Sequence, residues 1–251
     1  MLLGRIAGLG EPEAAAKFRS PNRIQTNILA GGERALLDRL CRLMPDWVTP
    51  DQLTAVGMLG AVICGAGYIA SNWRPGFLFL ASLGLLVNWF GDSLDGSLAR
   101  HRKVERARYG YFLDHSVDAI SLLILMAGLG FSPYVRLDVA LFALGGYYLL
   151  SMYAFLSSKV SEEFPLTFLF AGPTEFRFVT ICFNLLIYIE GRVDVPFMGV
   201  TVSLYTLLVG LEGAVFVAIY ISDVCGMARK LRRQDESSAN WRRDRSVPNR
   251  G

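Results

Sequence analysis

The chain has 251 residues, of which 53% are hydrophobic, and its mean hydropathy is +0.37. A soluble domain can be equally apolar, so composition only favours a membrane protein, and the modest net charge of +3 gives no reason to expect a nucleic-acid partner. The four cysteines form no Cys-x-x-Cys pair, so we expect reduced packing residues, and neither a disulfide framework nor a zinc site.

The N-terminal part of the chain precedes the long apolar segments. Residues 1–22 are rich in Ala, Gly, Pro and charge and are predicted to be a flexible tail, without a removed signal peptide. Residues 23–48 repeat apolar side chains at helical spacing, with charged residues between them and Trp47 at the end. This pattern predicts an amphipathic helix in the membrane interface, and an ordinary surface helix is the alternative.

Six apolar segments follow, each close to the roughly 20 residues that a helix needs to cross a bilayer. They are predicted at about 52–70, 77–98, 110–131, 137–157, 175–189 and 197–224. Thr49-Pro50-Asp51 is a good helix start for the first. The predicted fold class is therefore an all-α integral membrane protein, with a six-helix catalytic domain over 49–225 and a basic tail over 226–251.

The distribution of positive charge predicts the orientation of these helices. With six spans, one side of the membrane holds 22 of the 25 lysines and arginines, and the other holds only Arg74, Arg136 and Arg192. Cytoplasmic segments carry this excess, so both termini and the basic C-terminal tail are expected in the cytoplasm, with the protein in the cell inner membrane. No internal repeat and no second domain is evident in the sequence.

Four aspartates stand out near the ends of the second and third predicted helices. Asp92 and Asp95 are three residues apart, and Asp114 and Asp118 are four apart, so each pair shares a helix face. A tight connection between the two helices would bring the four carboxylates together. Acidic side chains within membrane helices are costly and need compensation, which a divalent cation supplies.

The residue types around the aspartates narrow the chemistry. Oxygen ligands without a His/Cys cluster favour Mg²⁺ or Mn²⁺ over zinc, and Mg²⁺ in proteins often completes its shell with substrate phosphates. Gly96 lies one turn after Asp92 and would let a substrate approach the backbone. Arg100 and the cluster Arg102, Lys103, Arg106 and Arg108 lie where phosphates would bind, although cations in such a loop are more often topology determinants.

The same segment resembles the signature of the CDP-alcohol phosphotransferase family. The match is Asp92-x-x-Asp95-Gly96-x-x-Ala99-Arg100, nine residues, then Gly110-x-x-x-Asp114-x-x-x-Asp118. The resemblance implies six helices with a cytoplasm-facing active site, a homodimer, and two Mg²⁺ or Mn²⁺ ions between the second and third helices. It implies metal ligands at Asp92, Asp95, Asp114 and Asp118, with Asp118 also the general base. Gly96, Ala99, Arg100 and Gly110 would shape the CDP pocket.

The reaction implied by the resemblance displaces CMP at phosphorus and joins a substituted phosphate to an alcohol. The signature does not say whether the membrane lipid is donor or acceptor. Gly172-Pro173-Thr174-Glu175-Phe176-Arg177 is the candidate for acceptor selection, where Arg177 could bind a phosphate and Glu175 an amine. The alternative is that Glu175 and Arg177 only begin the helix and pair locally. A separate candidate is Glu212 in the last helix, which has either a functional or a structural role.

Two other functions suit an acidic membrane site. A membrane prenyltransferase also binds diphosphate through Mg²⁺, but typically has more helices and Asp motifs far apart, whereas these lie within 27 residues. A cation transporter would distribute its acidic residues through the membrane instead of clustering them at one side. Phosphotransfer from a CDP-linked donor is therefore the preferred prediction.

Overall fold

The computed structural model describes residues 30–160 and 173–237, and these residues are almost entirely helical. The predicted tail over 1–22, the start of the amphipathic helix and the end of the basic tail lie outside the described residues. The elements are α1 Ala30–Leu43, α2 Pro50–Ala70, α3 Phe77–His101, α4 Ala107–Gly130, α5 Leu137–Val160, α6 Pro173–Glu190, β1 Asp194–Phe197, β2 Val200–Ser203 and α7 Leu204–Ser237.

Five described helices, α2 to α5 and α7, are long and apolar enough to cross a membrane. This confirms the prediction of a helical membrane protein. Helix α6 has 18 residues and carries Glu175, Arg177 and Glu190, so its apolar character falls below that of the other five. The sixth span therefore stays a prediction.

Helix α2 begins where the sequence indicates, and side chains of its first turn explain why. The Thr49 hydroxyl accepts a hydrogen bond from the Gln52 backbone N–H at 3.3 Å, and the Thr49 N–H donates to Gln52 Oε1 at 2.8 Å. This reciprocal capping box satisfies two backbone donors, and Pro50 occupies the first helical position, where its missing N–H costs nothing. The start of α2 is thereby fixed beside the connection between α3 and α4.

Glycines let α2 and α3 pack backbone against backbone. A Cβ atom on Gly84 would lie 2.3 Å from the backbone nitrogen of Cys64, and one on Gly91 would lie 2.2 Å from that of Gly57. Real Cβ atoms do not approach so closely, so only glycine fits at both positions. The close approach fixes the register of α2 against the acidic end of α3.

Helix α1 packs against the end of α3 that holds the acidic residues. Its Leu37 and Cys41 are buried in a cluster with Leu94 and Leu98 of α3, whereas Trp47, after the helix, is 74% exposed. Burial raises the pKa of the Cys41 thiol, with a smaller contribution from Asp38, which keeps the thiol protonated. The described thiols form no disulfide, but Cys182 and Cys225 are exposed, so the packing interpretation holds only for Cys41 and Cys64.

The connection between α3 and α4 is a tight turn held by backbone hydrogen bonds. The N–H of Val104 donates to the Ala99 carbonyl at 3.0 Å and that of Lys103 to the Arg100 carbonyl at 3.1 Å, with Lys103 at a φ of 59°. These two bonds form a Schellman motif, which ends α3 and turns the chain toward α4. The guanidinium of Arg102 donates to backbone carbonyls between α1 and α2, including that of Val48 at 2.5 Å.

The predicted start of the last helix, at residue 197, is wrong, because α7 begins at Leu204. The residues before it form an antiparallel hairpin of β1 and β2 that pairs Phe197 with Val200. Both residues of the two-residue turn have positive φ, 47° at Met198 and 83° at Gly199, as a type I′ turn requires. β-Branched residues and Pro196 favour strands over helix here. At its other end α7 continues to Ser237, so 226–237 of the predicted tail is helical.

Candidate active site

Three of the four predicted aspartates converge in the structure. Asp92 of α3 and Asp114 and Asp118 of α4 each offer a carboxylate oxygen, and these oxygens lie within 4.8 Å of one another. Asp114 and Asp118 share a face of α4 because they are one helical turn apart. The predicted convergence of these three carboxylates is therefore present in the structure.

Helix α2 provides the third wall of the pocket around these carboxylates, which sequence reasoning missed. It packs against both α3 and α4, so the pocket lies among three helices instead of between two. Its lining residues are Thr54, Gly57, Asn88, Asp92, Asp95, Asp114, Val117, Asp118 and Ser121. The close approach of α2 to α3 at their glycines thus also places Thr54 and Gly57 of α2 in the wall of the pocket.

Asp95 lines the same pocket but faces α2 instead of the other carboxylates. Its Oδ2 accepts a hydrogen bond from the Thr54 hydroxyl at 2.5 Å, and its Oδ1 accepts one from the Gly96 backbone N–H. The side chain is only 9% exposed, so these two donors replace the water that a buried carboxylate requires. A metal-binding role for Asp95 stays a prediction.

Arg177 of α6 contacts the acidic group directly. Its Nη2 donates to Asp92 Oδ2 at 2.7 Å and its Nε donates to Asn88 Oδ1 at 3.0 Å, while Asn88 Nδ2 donates to the Gly57 carbonyl at 3.0 Å. The Arg177 side chain is 14% exposed, and its Nη1 is buried without a hydrogen-bond partner among the described residues. Local pairing within α6 therefore does not describe Arg177, because its partners lie on α3.

Glu175 lies two residues earlier on α6 and does not share these contacts. Its side chain is half-buried, and it makes no ion pair within the part of the chain that the structure describes. Gly172, at the start of the same predicted segment, lies outside the described residues. The two candidates for acceptor selection are thus separated, with only Arg177 placed against the carboxylates.

The residues that the resemblance assigns to the CDP pocket lie at the ends of α3 and α4. The Arg100 guanidinium covers Gly96, where a Cβ atom would lie 3.3 Å from Nη1, and it donates to the Ser97 hydroxyl at 3.2 Å. Ala99 is half-buried, and Gly110 on α4 is exposed with no heavy atom within 4 Å of a Cβ position. Arg100 is therefore placed beside Gly96, whereas Gly110 stands apart on the neighbouring helix.

Two cations of the connection between α3 and α4 have structural roles. Arg102 binds the backbone carbonyls described above, and Arg106 forms an ion pair with Asp51 of α2. The Arg106 guanidinium also lies 4.2 Å from the ring centroid of Tyr109, a cation–π contact. These contacts give Arg102 and Arg106 partners other than a phosphate, and the interpretation of the loop cations as topology determinants stays a prediction.

His115 is a further neighbour of the site, next to Asp114 in the sequence. Its Nδ1 lies 3.1 Å from Asp114 Oδ2, and its ring stacks 4.3 Å from that of Tyr111 and 5.4 Å from that of Phe155. The aromatic contacts hold the imidazole against the carboxylate.

The donor set fits a hard divalent cation. Three carboxylate oxygens from two helices face one space, and within the described residues this is an all-oxygen group with no cysteine or histidine ligand. One guanidinium, that of Arg177, does not neutralise four carboxylates that line a single pocket. The remaining negative charge is what Mg²⁺ or Mn²⁺ would compensate.

The fold and the pocket define a helical membrane protein with a carboxylate-lined site at one end of its bundle. The CDP-alcohol phosphatidyltransferase family matches residues 47–218, and the chain belongs to this family. The match confirms the resemblance that the aspartate spacing indicates. It also favours phosphotransfer over the prenyltransferase and transporter alternatives.

Individual relatives are similar over shorter stretches. Archaetidylinositol phosphate synthase of Pyrococcus horikoshii is 35% identical over 105 residues, which is 41% of this chain and 52% of the relative. The enzyme of the same name from Methanothermobacter thermautotrophicus is 33% identical over 94 residues, 38% of this chain and 45% of the relative. Cholinephosphotransferase 1 of Danio rerio is 28% identical over 132 residues, which is 47% of this chain and 34% of the relative. The chain spans about half or less of their lengths.

Proposed function

We propose that this protein transfers a substituted phosphate from a CDP-linked donor to an alcohol and releases CMP, as a step of phospholipid biosynthesis. The observation that carries the proposal is the group of carboxylate oxygens of Asp92, Asp114 and Asp118 within 4.8 Å of one another, in a member of the CDP-alcohol phosphatidyltransferase family. CDP-diacylglycerol and a CDP-linked small alcohol are the two donor classes.

Asp92, Asp114 and Asp118 would hold the divalent cation, and Asp95 completes the acidic lining of the pocket for a second ion. When bound, Mg²⁺ or Mn²⁺ neutralises the donor diphosphate and stabilises the leaving phosphate. The Thr54 hydroxyl and the Gly96 N–H hold the Asp95 carboxylate in one orientation. This preorganisation keeps the acidic lining ready for the donor.

Asp118 is the residue that we assign as general base. Its side chain is exposed, whereas Asp92 is half-buried and bound by Arg177, so an acceptor hydroxyl can reach Asp118 more easily. The hydroxyl oxygen bonds to phosphorus, the bond from phosphorus to the CMP oxygen breaks, and the proton passes to an Asp118 carboxylate oxygen. Gly96, Ala99, Arg100 and Gly110 would bind the CDP moiety, with the Arg100 guanidinium available to its phosphates.

The acceptor in this proposal carries a phosphate that Arg177 binds. The support is the buried Nη1 of Arg177, which has no partner among the described residues while Nη2 and Nε are bonded to α3. A buried donor without a partner is costly, and an acceptor phosphate would satisfy it. The relatives' names include both an inositol phosphate lipid and phosphocholine transfer, so they do not choose between acceptor classes.

We place the reaction at the cytoplasmic face of the cell inner membrane. The carboxylates lie at the end of the bundle that holds Arg102 and Arg106, which supports a cytoplasmic active site in the inner membrane. On α1, Leu43 is 68% exposed, and the exposed Trp47 follows it, which supports contact with the membrane interface. Membership of the family supports a homodimer, as the resemblance implies.

Removal of divalent metal should abolish CMP release. Purified protein in lipid is offered a panel of CDP-linked donors and alcohol acceptors, with CMP release as the measurement. Activity is expected to disappear with excess chelator and to return with Mg²⁺ or Mn²⁺ but not with Ca²⁺ at equal concentration, because a site that shares its metal with a diphosphate favours the smaller cation. CMP release that persists after exhaustive chelation would contradict the proposed role of the carboxylates.

Replacement of Arg177 by Ala should raise the KM for a phosphorylated acceptor by about tenfold to hundredfold, the effect of one lost charge-assisted hydrogen bond. The KM for the CDP-linked donor should stay near its original value. Arg177→Lys keeps a positive charge beside Asp92 but cannot bond Asn88 and Asp92 as a fork, so it should restore acceptor binding only in part and leave the donor KM unchanged.

Arg192→Ala is the matched control, because it also removes an arginine that pairs with an aspartate, here Asp194 in an exposed pair. Its kinetic constants should be unchanged. A folded Arg177→Ala variant with an unchanged acceptor KM would exclude the acceptor role and leave Arg177 as a structural partner of Asp92.

A further inference from the structure

Three helices meet at the carboxylate of Glu33. Its Oε1 accepts hydrogen bonds from Trp89 Nε1 of α3 at 3.2 Å and from the Thr174 hydroxyl of α6 at 2.6 Å. The partners are 56 and 141 positions away in the sequence, so these bonds connect parts of the chain that nothing local brings together. Glu33 itself is half-buried in α1 and precedes residues 47–218, the part that matches the family.

A carboxylate suits this junction for a simple chemical reason. The indole N–H of Trp89 can only donate, so it cannot accept a hydrogen bond from the Thr174 hydroxyl, and an acceptor must stand between them. One carboxylate oxygen can accept both bonds, and its charge strengthens them. A negative charge is also favourable beside the first turn of α6, where the backbone N–H groups have no partner within the helix itself.

The junction lies one helical turn from Arg177. Thr174 and Arg177 are three residues apart on α6, and Trp89 is adjacent on α3 to Asn88, which accepts a hydrogen bond from Arg177. The first turn of α6 is therefore fixed to α3 at two points, directly through Arg177 and indirectly through Glu33. The hydrogen bonds of Arg177 to α3 can hold its guanidinium beside Asp92 only if the first turn of α6 does not move.

We propose that Glu33 is a positioning residue, which fixes the first turn of α6 on α3 and so holds Arg177 beside Asp92. The inference rests on the proposed function, because the acceptor role of Arg177 belongs to it. Helix α1 then contributes to acceptor binding through α6, in addition to covering the apolar surface of α3. The acceptor side of the pocket depends on a residue outside the part that matches the family.

The anchoring is tested first without reference to activity, by hydrogen–deuterium exchange of the purified protein in lipid. The amides of 177–181 bond to carbonyls of the first turn of α6, so loosening of that turn exposes them. Glu33→Leu should speed their exchange about tenfold, whereas Glu33→Gln, whose amide oxygen can accept both hydrogen bonds, should stay within about threefold of the original. Asp38→Asn is the control, since it removes an exposed α1 carboxylate that makes no hydrogen bond or ion pair with the described residues of α3 and α6.

Kinetics then connect the anchoring to the site. Glu33→Leu and Thr174→Val should each raise the acceptor KM about tenfold with the donor KM unchanged, and the double variant should be no worse than either, because both changes break one junction. Thr174→Ser should behave as the original protein. A purely structural role would instead lower the yield of active protein and leave the KM of both substrates unchanged.

Four outcomes separate this inference from the proposed function. Unchanged exchange in Glu33→Leu would overturn the inference. Glu33→Gln behaving like Glu33→Leu would overturn it too, because the anchoring would then not come from the two hydrogen bonds, which a Gln oxygen can also accept. Faster exchange with an unchanged acceptor KM would confirm the anchoring and overturn the acceptor role of Arg177. Faster exchange with a raised acceptor KM, and rescue by Gln, would support both.

Discussion

Asp118→Asn is expected to bind the CDP-linked donor at nearly the original affinity, while CMP release falls by roughly 10²–10⁴-fold. Asparagine keeps the shape and one oxygen of the carboxylate but cannot accept the proton of the acceptor alcohol. A general base acts only in the transition state, so its loss lowers the rate without lowering the affinity for the donor. In the proposed function, the exposed position of Asp118 on α4 favours it over the half-buried Asp92 as the carboxylate that takes the proton.

Asp92→Asn should behave differently, because Asp92 is half-buried and binds Arg177 at 2.7 Å. The change removes a charge that the divalent cation needs and leaves the Arg177 guanidinium with a weaker partner. Donor binding should therefore weaken outright, in addition to the loss of turnover. Donor titration and turnover are measured for both variants, with Asp138→Asn as a control that removes an exposed carboxylate paired with Arg136 at another part of the chain.

The pattern across the variants decides the role of Asp118. Normal turnover in Asp118→Asn would show that Asp118 is not the base. Donor binding lost as completely as in Asp92→Asn would show that Asp118 acts mainly as a metal ligand and that the acceptor is deprotonated elsewhere. Reduced turnover with retained donor binding is the result that the geometry supports.

The sequence predicted the carboxylates that converge because helical periodicity is a local property. Residues three or four apart on a helix must share a face, so the spacing of Asp114 and Asp118 alone places them on one side of α4. The same reasoning predicted that Asp95 shares a helix face with Asp92, but it could not predict that the Thr54 hydroxyl of α2 donates a hydrogen bond to Asp95 at 2.5 Å. That contact depends on the register between helices, which spacing within one helix does not contain.

Contacts over long sequence separations were the part that could not be predicted. The sequence placed Arg177 at the start of a helix near the site, yet its partner Asp92 is 85 positions away and could not be identified. Glu33 was counted only as one polar residue of an amphipathic helix. The hairpin before α7 was missed for another reason: its apolar residues run directly into the apolar residues of α7, so the two together were taken as one long span although the β-branched residues and Pro196 favour strands.

Gly84→Ala should destabilise the folded protein more than any change in the pocket. A Cβ atom at this position would lie 2.3 Å from the backbone nitrogen of Cys64 and 2.7 Å from the carbonyl oxygen of Gly60, and a helix backbone cannot move away as a side chain can. The two helices must separate, which breaks close packing along the whole interface. We expect a loss of about 3 kcal/mol or more, the upper end of the cost of overpacking.

Gly145→Ala on α5 is the matched control, because no heavy atom lies within 4 Å of its Cβ position. Alanine is the better helix former, so this variant should unfold at the original Tm or slightly above it. The measurement is thermal unfolding of both purified variants in the same detergent, with the yield of folded protein recorded. Because Asn88 of α3 binds the Gly57 carbonyl of α2 across the same interface, any Gly84→Ala protein that folds should also bind the CDP-linked donor more weakly. A Tm equal to that of Gly145→Ala would show that α2 and α3 are not packed as closely as the structure indicates, and the wall that α2 gives the pocket would then have to be reconsidered.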